Sequence, residues 1–181
     1  MSTLFLKKTY LFFEAFEIAD QYHLDQPYGD LPYIDHLVAV AQLVDHYGEK
    51  AAVCALLHDI LEDTPCSEDE ILSIFGEDIL FTIQQLSDPE GINRKERKRL
   101  LHQRLKSLDS SIEREKLAII IKVADRLCNI RFSIEMHNHK KIAMYEKEHA
   151  DFKDACFRAG VCDDFWLEIQ SHFNRFSGCK I

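Results

Sequence analysis

One short stretch concentrates side chains that can bind a metal or move a proton. It follows the apolar run 51–57 and contains His58, Asp59, Glu62 and Asp63. Residues four apart share a side of a helix. A continuous helix would therefore align two rows, His58 with Glu62 and Asp59 with Asp63. Because unpaired buried carboxylates are costly and neighbouring carboxylates repel, this stretch favours a bound cation, with a solvated helix end as the alternative.

Two other positions carry side chains of the metal-ligand type. His36 lies near the start of the helix predicted from Tyr33, and a lone histidine there is more often a surface or core residue than a ligand. Asp125 follows the apolar run 117–124, with Lys122 three residues before it. The alternative interpretation of Asp125 is an ion pair with Lys122 on a partly exposed helix face.

Helices are predicted to position these residues, because only four prolines and six glycines interrupt the chain. Apolar residues at spacings of three and four predict amphipathic helices, and no stretch alternates convincingly with period two. A loop is predicted at 23–32 and a turn at 87–91. The predicted helices are 4–19, 33–47, 50–63, 68–75, 78–86, 93–108, 110–137, 140–159 and 163–176.

Two capping boxes and one basic segment add detail to this pattern. Ser67 with Glu70, and Ser110 with Glu113, have the spacing that predicts a helix start. The segment 93–108 between them is strongly basic. The chain is predicted to be all-α, a helical bundle.

Length and composition indicate a globular protein. At 181 residues, 46% hydrophobic and 29% charged, the chain fits one domain with a substantial core. We expect a single domain over 1–181, with a motif-bearing core at about 10–135 and C-terminal helices at 140–176. The net charge of -9 argues against nucleic-acid binding but allows a small anionic substrate beside a local basic patch.

Neither a signal peptide nor a membrane span is expected. The six cysteines form no C-x-x-C pair, which predicts free thiols in a reducing, cytoplasmic compartment and no zinc-thiolate site.

The order of the candidate ligands resembles a known family. A histidine, then a His-Asp pair, then a distant aspartate is the ligand set of the HD superfamily of metal-dependent phosphohydrolases, formed here by His36, His58, Asp59 and Asp125. Histidine nitrogens with carboxylate oxygens favour a mid-row divalent cation such as Mn²⁺. Four protein ligands would leave positions for water and a phosphate oxygen.

Longer segments are similar to the RelA/SpoT-homologue hydrolase domain within that superfamily. Its three motifs are matched by 32–41, 55–64 and 122–131. Residues 75–76 and 95–100 also resemble the stand-alone small alarmone hydrolases of the metazoan SpoT type. The resemblance implies an all-α HD domain that hydrolyses a nucleoside polyphosphate.

The same resemblance implies a role for each matching residue. His36, His58, Asp59 and Asp125 would bind Mn²⁺, while Glu62 and Asp63 would orient or deprotonate the attacking water. The reaction would remove pyrophosphate from the 3′ position of the substrate, which requires charge neutralisation around the departing diphosphate. Asn129 matches a residue that contacts the ribose. The other candidate substrate-binding residues are Lys122, Arg126, Arg97, Lys98 and Tyr145.

Departures from the family pattern concern the nucleoside. The family's Arg-Lys pair before the first motif is missing from the loop 25–31. Cys128 stands where histidine or tyrosine is frequent, and Phe132 where threonine is frequent. The expected substrate is therefore (p)ppGpp, (p)ppApp or both.

Two alternatives remain open at this point. One is an HD phosphohydrolase acting on another nucleotide, such as a deoxynucleoside triphosphate or NADPH. The other is a non-catalytic protein that binds an alarmone. The intact pair Glu62 and Asp63 argues against the second, because binding alone does not require a water-activating acid.

Overall fold

The computed structural model describes residues 9–89 and 93–178, and its architecture is helical. A 3₁₀ turn, Asp45–Tyr47, follows the second helix. The elements are α1 (Tyr10–Tyr22), β1 (Pro27–Tyr28), β2 (Leu31–Pro32), α2 (Tyr33–Val44), α3 (Glu49–Leu56), α4 (Ile60–Asp63), α5 (Glu68–Phe75), α6 (Glu77–Leu86), α7 (Arg94–Ser107), α8 (Glu113–Glu135), α9 (His139–Cys156) and α10 (Asp163–Gly178).

The all-α prediction is confirmed, apart from one small hairpin. The part of the first predicted helix at 4–8 and the end of the predicted turn at 90–91 lie outside the described residues.

The core is built around α8, because that helix is apolar on nearly every side. All residues from Leu117 to Ala124 are buried, which is the pattern of a helix enclosed by others. Helices α2, α3, α6, α9 and α10 pack against it. Residues Ala51 to Leu57 are also fully buried, and α3 packs against α2 as well. The three segments that carry the candidate ligands therefore meet inside the bundle.

The continuous helix predicted over 50–63 is wrong, and the break falls at the candidate ligands. Helix α3 ends at Leu56, residues 57–59 form a turn, and α4 begins at Ile60. Nδ1 of His58 lies 2.8 Å from the Ala55 carbonyl, which in an unbroken helix would accept from the amide of Asp59. The side chain thus satisfies a carbonyl that the break releases. The break separates His58 from the helix of Glu62, whereas Asp59 still accepts from the amide of Asp63 at 2.9 Å.

The predicted loop at 23–32 contains an antiparallel hairpin. Tyr28 pairs with Leu31 across it. Gly29 at its tip has φ of 64°, and a Cβ built there would lie 2.7 Å from Cζ of Phe132. A glycine is therefore required twice over, by the backbone conformation and by the close approach to α8.

One of the two predicted capping boxes is present in its serine half, while the carboxylate of Glu70 accepts from the hydroxyl of Tyr22. The hydroxyl of Ser67 accepts from the amide of Glu70 at 3.2 Å, as predicted. The prediction for Ser110 is wrong, because α8 begins after Ile112, which provides no side-chain cap. The preceding turn is closed instead by Asp109, whose carboxylate accepts from the amide of Ser111 at 2.8 Å.

The cysteines within the described ranges are Cys54, Cys66, Cys128, Cys156 and Cys162, and each is a buried free thiol. Cys179 lies outside those ranges. Among the helices of residues 9–89 and 93–178, none has the length and apolar character needed to cross a membrane.

Candidate metal centre and active site

Three separate elements bring candidate metal ligands to one point. His36 comes from α2, His58 from the turn after α3, and Asp125 from α8. One ligand atom of each lies within 4.8 Å of the others. Nε2 of His36 is 3.3 Å from Oδ1 of Asp125, and Nε2 of His58 is 3.8 Å from the same oxygen. Asp59 joins this cluster, with Oδ2 at 3.0 Å from Nε2 of His58.

The protonation of His58 indicates that a positive charge belongs in this cluster. A carbonyl only accepts, so Nδ1 donates to Ala55 and the neutral ring presents a lone pair at Nε2. That buried nitrogen lies beside the carboxylates of Asp59 and Asp125 but makes no hydrogen bond. The nitrogen and the two carboxylates are all acceptors, so a proton or a metal cation between them would stabilise the cluster. The convergence of His36 on the same oxygen fits a metal ion.

The pKa values follow from the same arrangement. Burial alone would lower the pKa of His58, but the charges of Asp59 and Asp125 raise it to about 10. Burial alone would raise the pKa values of the two aspartates, yet neighbouring histidines hold both below their usual range. Both aspartates are therefore ionised and ready to bind a cation.

Lys122 lies inside the site and not on an exposed helix face. Its side chain is buried, with Nζ at 3.1 Å from the Leu86 carbonyl and 3.9 Å from Oδ2 of Asp125. Burial would lower its pKa, but Asp125 and the neighbouring acids raise it. The ammonium therefore stays charged and offsets part of the negative charge of the cluster. The alternative interpretation, an ion pair on a partly exposed helix face, is therefore wrong about the exposure: Lys122 and Asp125 face each other inside the site.

The two acids of α4 lie beside the ligands in different environments. Oε2 of Glu62 accepts from the backbone amide of Asp88 at 2.8 Å, which fixes that carboxylate against the loop before α7. Partial desolvation and the charges of Asp59 and Glu62 raise the pKa of Asp63 to about 6. A carboxylate with a raised pKa is a better proton acceptor. Asp63 is thus suited to accept a proton.

Of the predicted substrate-binding cations, the structure brings Lys98 and Arg126 close to the site. Nζ of Lys98 lies 3.6 Å from Oδ1 of Asp88, and burial together with Lys122 lowers its pKa. The guanidinium of Arg126 lies over the ring of Tyr145 at 4.7 Å and pairs with Glu148 at 3.5 Å.

Arg97 lies on α7 directly before Lys98 and is exposed. Consecutive helical residues diverge by about 100° around the axis, so the two cations face different directions. The structure does not bring Arg97 together with the other candidates.

Asn129 is held on both sides of its amide. Nδ2 donates to Oδ1 of Asp125 at 2.5 Å, and Oδ1 accepts from the hydroxyl of Tyr28 at 3.1 Å. The predicted ribose contact is thus directly connected to a candidate metal ligand.

Two tyrosines at the site were not singled out from the sequence. Tyr33 donates from its hydroxyl to Oδ2 of Asp59 at 2.6 Å. The ring of Tyr28 stacks on His36 and on Phe132, with centroid separations of 4.6 and 4.1 Å. Neither contact has a local sequence signal, because each partner is supplied by a distant element.

Two cavities lie near the site, and the second includes the candidate ligand His36 in its lining. A groove of about 1070 Å³ between α7 and α9 is lined by Lys98, His102 and Glu148, among others. A smaller cavity of about 390 Å³ lies beside the hairpin and is lined by Tyr28 and His36, among others. The larger one has room for a nucleotide-sized ligand.

A helical bundle with this order of ligands has the architecture of an HD domain. The sequence profile of the HD domain family matches residues 15–151. Because the match covers well over half of the chain, the chain belongs to the HD domain family.

Two relatives of the chain are hydrolases of guanosine-3′,5′-bis(diphosphate) by name. The chain is 32% identical over 130 residues to the Danio rerio guanosine-3′,5′-bis(diphosphate) 3′-pyrophosphohydrolase MESH1, covering 68% of this chain and 69% of the relative. It is 29% identical over 127 residues to the Drosophila melanogaster protein of the same name, covering 66% of this chain and 68% of the relative. The resemblance to the RelA/SpoT-homologue group is thereby confirmed.

A solved structure supports the fold. It is described by the words "A metazoan ortholog of SpoT hydrolyzes ppGpp and plays a role in starvation responses". The two share a TM-score of 0.75 and 23% identity over 93% of this chain and 96% of that one. At that identity the likeness shows the fold alone.

Proposed function

We propose that the chain is a metal-dependent 3′-pyrophosphohydrolase of nucleoside polyphosphate alarmones, (p)ppGpp, (p)ppApp or both. One observation carries the proposal. The buried Nε2 of His58 faces two carboxylates beside the acidic helix α4, so that a cation-binding cluster and a proton acceptor adjoin each other. The names of the relatives, 3′-pyrophosphohydrolases of guanosine-3′,5′-bis(diphosphate), support the same substrate class.

In this proposal His36, His58, Asp59 and Asp125 bind the metal. Two imidazole nitrogens with two carboxylate oxygens suit Mn²⁺ better than a soft metal. Such a cation, when bound, would neutralise charge on the phosphate oxygens and acidify a water molecule.

Asp63 accepts the proton of the attacking water, and Glu62 orients that water. The raised pKa of Asp63, about 6, supports the first role. The bond from the Asp88 amide to Oε2 of Glu62 supports the second, because it fixes the carboxylate and leaves Oε1 for another partner. The oxygen of the water attacks the phosphorus attached to the 3′ oxygen, the bond between that phosphorus and the 3′ oxygen breaks, and the 3′ oxygen takes up a proton. The products are pyrophosphate, which contains the oxygen of the water, and a nucleotide that retains its 5′ phosphates.

Cations near the metal cluster stabilise the departing diphosphate. Lys98 supplies a partly desolvated ammonium, whose attraction for phosphate is stronger than in bulk water. Lys122 and Arg126 contribute charge from α8, and Arg97 acts at longer range. Tyr145, which lies under the guanidinium of Arg126, borders the nucleotide.

Recognition of the base differs from the family pattern in this proposal. Asn129 contacts the ribose. Near the base, the hairpin before α2 has no basic side chain and instead presents the ring of Tyr28, which stacks on Phe132. An aromatic surface accepts either purine, which is consistent with hydrolysis of (p)ppApp as well as (p)ppGpp.

We further propose that residues 1–181 act as one HD hydrolase domain in the cytoplasm. One contiguous core includes residues from Phe12 in α1 to Phe173 in α10, which supports a single unit. Buried free thiols are compatible with a reducing compartment.

A substrate panel tests the proposal. Purified protein with Mn²⁺ is incubated separately with ppGpp, ppApp, a deoxynucleoside triphosphate and NADPH. Pyrophosphate from either alarmone is the expected product. Inorganic triphosphate from the deoxynucleotide, or phosphate from NADPH, with neither alarmone cleaved, would establish the other nucleotide hydrolase instead. Binding of an alarmone without turnover would establish a binding protein.

A further inference from the structure

We propose that Tyr33 and Tyr28 are positioning residues for the metal centre, with Tyr33 orienting Asp59 directly and Tyr28 orienting Asp125 through Asn129. The inference rests on the metal site of the proposed function and adds two residues to it. Both hydroxyls come from one short segment, the hairpin and the first turn of α2. This segment would therefore hold both carboxylates of the site in their binding orientation.

Tyr33 has the more direct contact. Its hydroxyl donates to Oδ2 of Asp59 at 2.6 Å, the separation of a strong hydrogen bond to a charged oxygen. The terminal torsion of an aspartate has a broad, roughly two-fold preference, so a donor on Oδ2, the oxygen that also faces His58, fixes the rotation of the carboxylate. Asp59 lies in the turn between α3 and α4, where hydrogen bonds hold its carbonyl but the rotation of its carboxylate needs a further constraint. The phenol supplies that constraint.

The ring of Tyr33 is itself fixed. It stacks on His23 with centroids 4.8 Å apart and planes 17° from parallel. Nδ1 of His23 lies 2.8 Å from Oε1 of Gln26, and Nε2 of Gln26 donates to the carbonyl of Asp63 at 2.7 Å. The hydroxyl therefore projects from a packed ring, as expected of a group that orients a metal ligand.

Tyr28 reaches the second carboxylate through one intermediate. Its hydroxyl donates to Oδ1 of Asn129, and this leaves Nδ2 of the same amide to donate to Oδ1 of Asp125. Without the phenol, the oxygen of the Asn129 amide loses its donor, and the amide is held only through Nδ2, which donates to the carbonyl and the carboxylate of Asp125. The ring of Tyr28 also stacks on the ligand His36.

The position of this segment is fixed by packing. The ring centroids of Tyr28 and Tyr33 are 6.1 Å apart. Gly29 lies directly on Phe132, so the hairpin tip rests on the same helix that carries Asp125. The hydroxyls of Tyr28 and Tyr33 thus project from one packed segment. This would keep the carboxylates of Asp59 and Asp125 in fixed positions relative to His36 and His58.

The test measures metal affinity without substrate. Metal-free protein is titrated with Mn²⁺, and free Mn²⁺ is followed by electron paramagnetic resonance. Tyr33→Phe keeps the ring and removes only the hydroxyl. Outer partners of metal ligands typically contribute 10- to 100-fold in affinity, so the Kd should rise by about that factor in Tyr33→Phe and by less in Tyr28→Phe.

Tyr22→Phe is the matched control. Tyr22 also donates to a carboxylate at 2.6 Å, but its partner is Glu70 on α5, outside the metal cluster. Its Kd for Mn²⁺ should stay within about twofold of the wild type, while its melting temperature without metal should fall as in Tyr33→Phe.

An unchanged Kd in Tyr33→Phe, or equal weakening in Tyr22→Phe, would overturn the proposal. If Tyr33→Phe does not fold, Tyr28→Phe decides alone, and an unchanged Kd there has the same consequence. Because no nucleotide is present, the result is independent of the proposed reaction. A wild-type protein that binds Mn²⁺ but cleaves no alarmone would contradict the reaction and leave the positioning roles intact.

Discussion

The carboxylate of Glu62 accepts a hydrogen bond from the backbone amide of Asp88 at 2.8 Å. This contact joins α4, the helix of Glu62 and Asp63, to the loop before α7. Lys98 lies on α7. Nζ of Lys98 lies 3.6 Å from the Asp88 carboxylate in turn. Glu62, which is proposed to orient the water, and Lys98, which is proposed to bind phosphate, are therefore connected through Asp88 alone. Substitutions of these residues can be compared directly.

Asp63→Asn should greatly reduce turnover while leaving metal binding intact. The amide has the same shape but cannot accept the proton of water, and general-base catalysis contributes about 10²- to 10⁴-fold. We expect kcat to fall by that factor and bound Mn²⁺, measured by atomic absorption, to stay near the wild-type value. Asp69→Asn, an exposed acid on α5, is the control and should keep full activity. Undiminished turnover in Asp63→Asn would refute the assigned role.

Lys98→Gln should weaken catalysis much more than Arg97→Gln. Loss of a hydrogen bond to a charged group typically costs about 1.5–3 kcal/mol, or roughly 10- to 100-fold in kcat/KM. The two cations are neighbours on α7, but only Lys98 is directed toward Asp88 and α8. Steady-state kinetics with an alarmone substrate checks the difference. A larger effect of Arg97→Gln would place the phosphate elsewhere on α7.

Removal of the metal should lower stability as well as activity. A ligand that binds only the folded state stabilises it by about 2.7 kcal/mol at a concentration 100 times its Kd. Without a cation, the carboxylates of Asp59 and Asp125 repel each other. We expect the melting temperature of chelator-treated protein to rise with added Mn²⁺, and to stay constant in Asp125→Asn. Independence of the wild-type melting temperature from Mn²⁺ would argue against a metal site.

Ser67→Ala should destabilise the fold by about 1 kcal/mol, the typical contribution of a helix N-cap. Its hydroxyl accepts from the amide of Glu70 at the start of α5. Ser110→Ala has the same sequence context but removes no cap, because α8 begins after Ile112. Urea denaturation should therefore distinguish the two variants. Equal destabilisation by both would contradict the described start of α8.

The sequence predicted the helices well because their apolar periodicity is strong, as the buried run from Leu117 to Ala124 illustrates. The resemblance pointed to His36, His58 and Asp125, and the structure brings these three side chains together. The sequence did not predict the turn at His58. The apolar periodicity continues through the break, because the ring of His58 takes the place of the missing backbone donor to the Ala55 carbonyl. The stretch around His58 also contains neither proline nor glycine, the usual signals of a helix break.

Contacts between distant segments were also beyond the sequence. Tyr33 meets Asp59 only because α2 packs against α3, and Tyr28 reaches Asn129 across about a hundred positions of the chain. Ser110 shows the reverse case, in which a correct local spacing was overridden by the turn that Asp109 closes.

The most direct test of the proposed reaction is phosphorus NMR of the products formed from ppGpp, and separately from ppApp, with and without Mn²⁺. A 3′-pyrophosphohydrolase yields inorganic pyrophosphate and a nucleotide that keeps its 5′-diphosphate, and only when the metal is present. Either alarmone giving these products would establish the reaction and identify the base. Failure of the protein to cleave both, or release of orthophosphate in place of pyrophosphate, would contradict it.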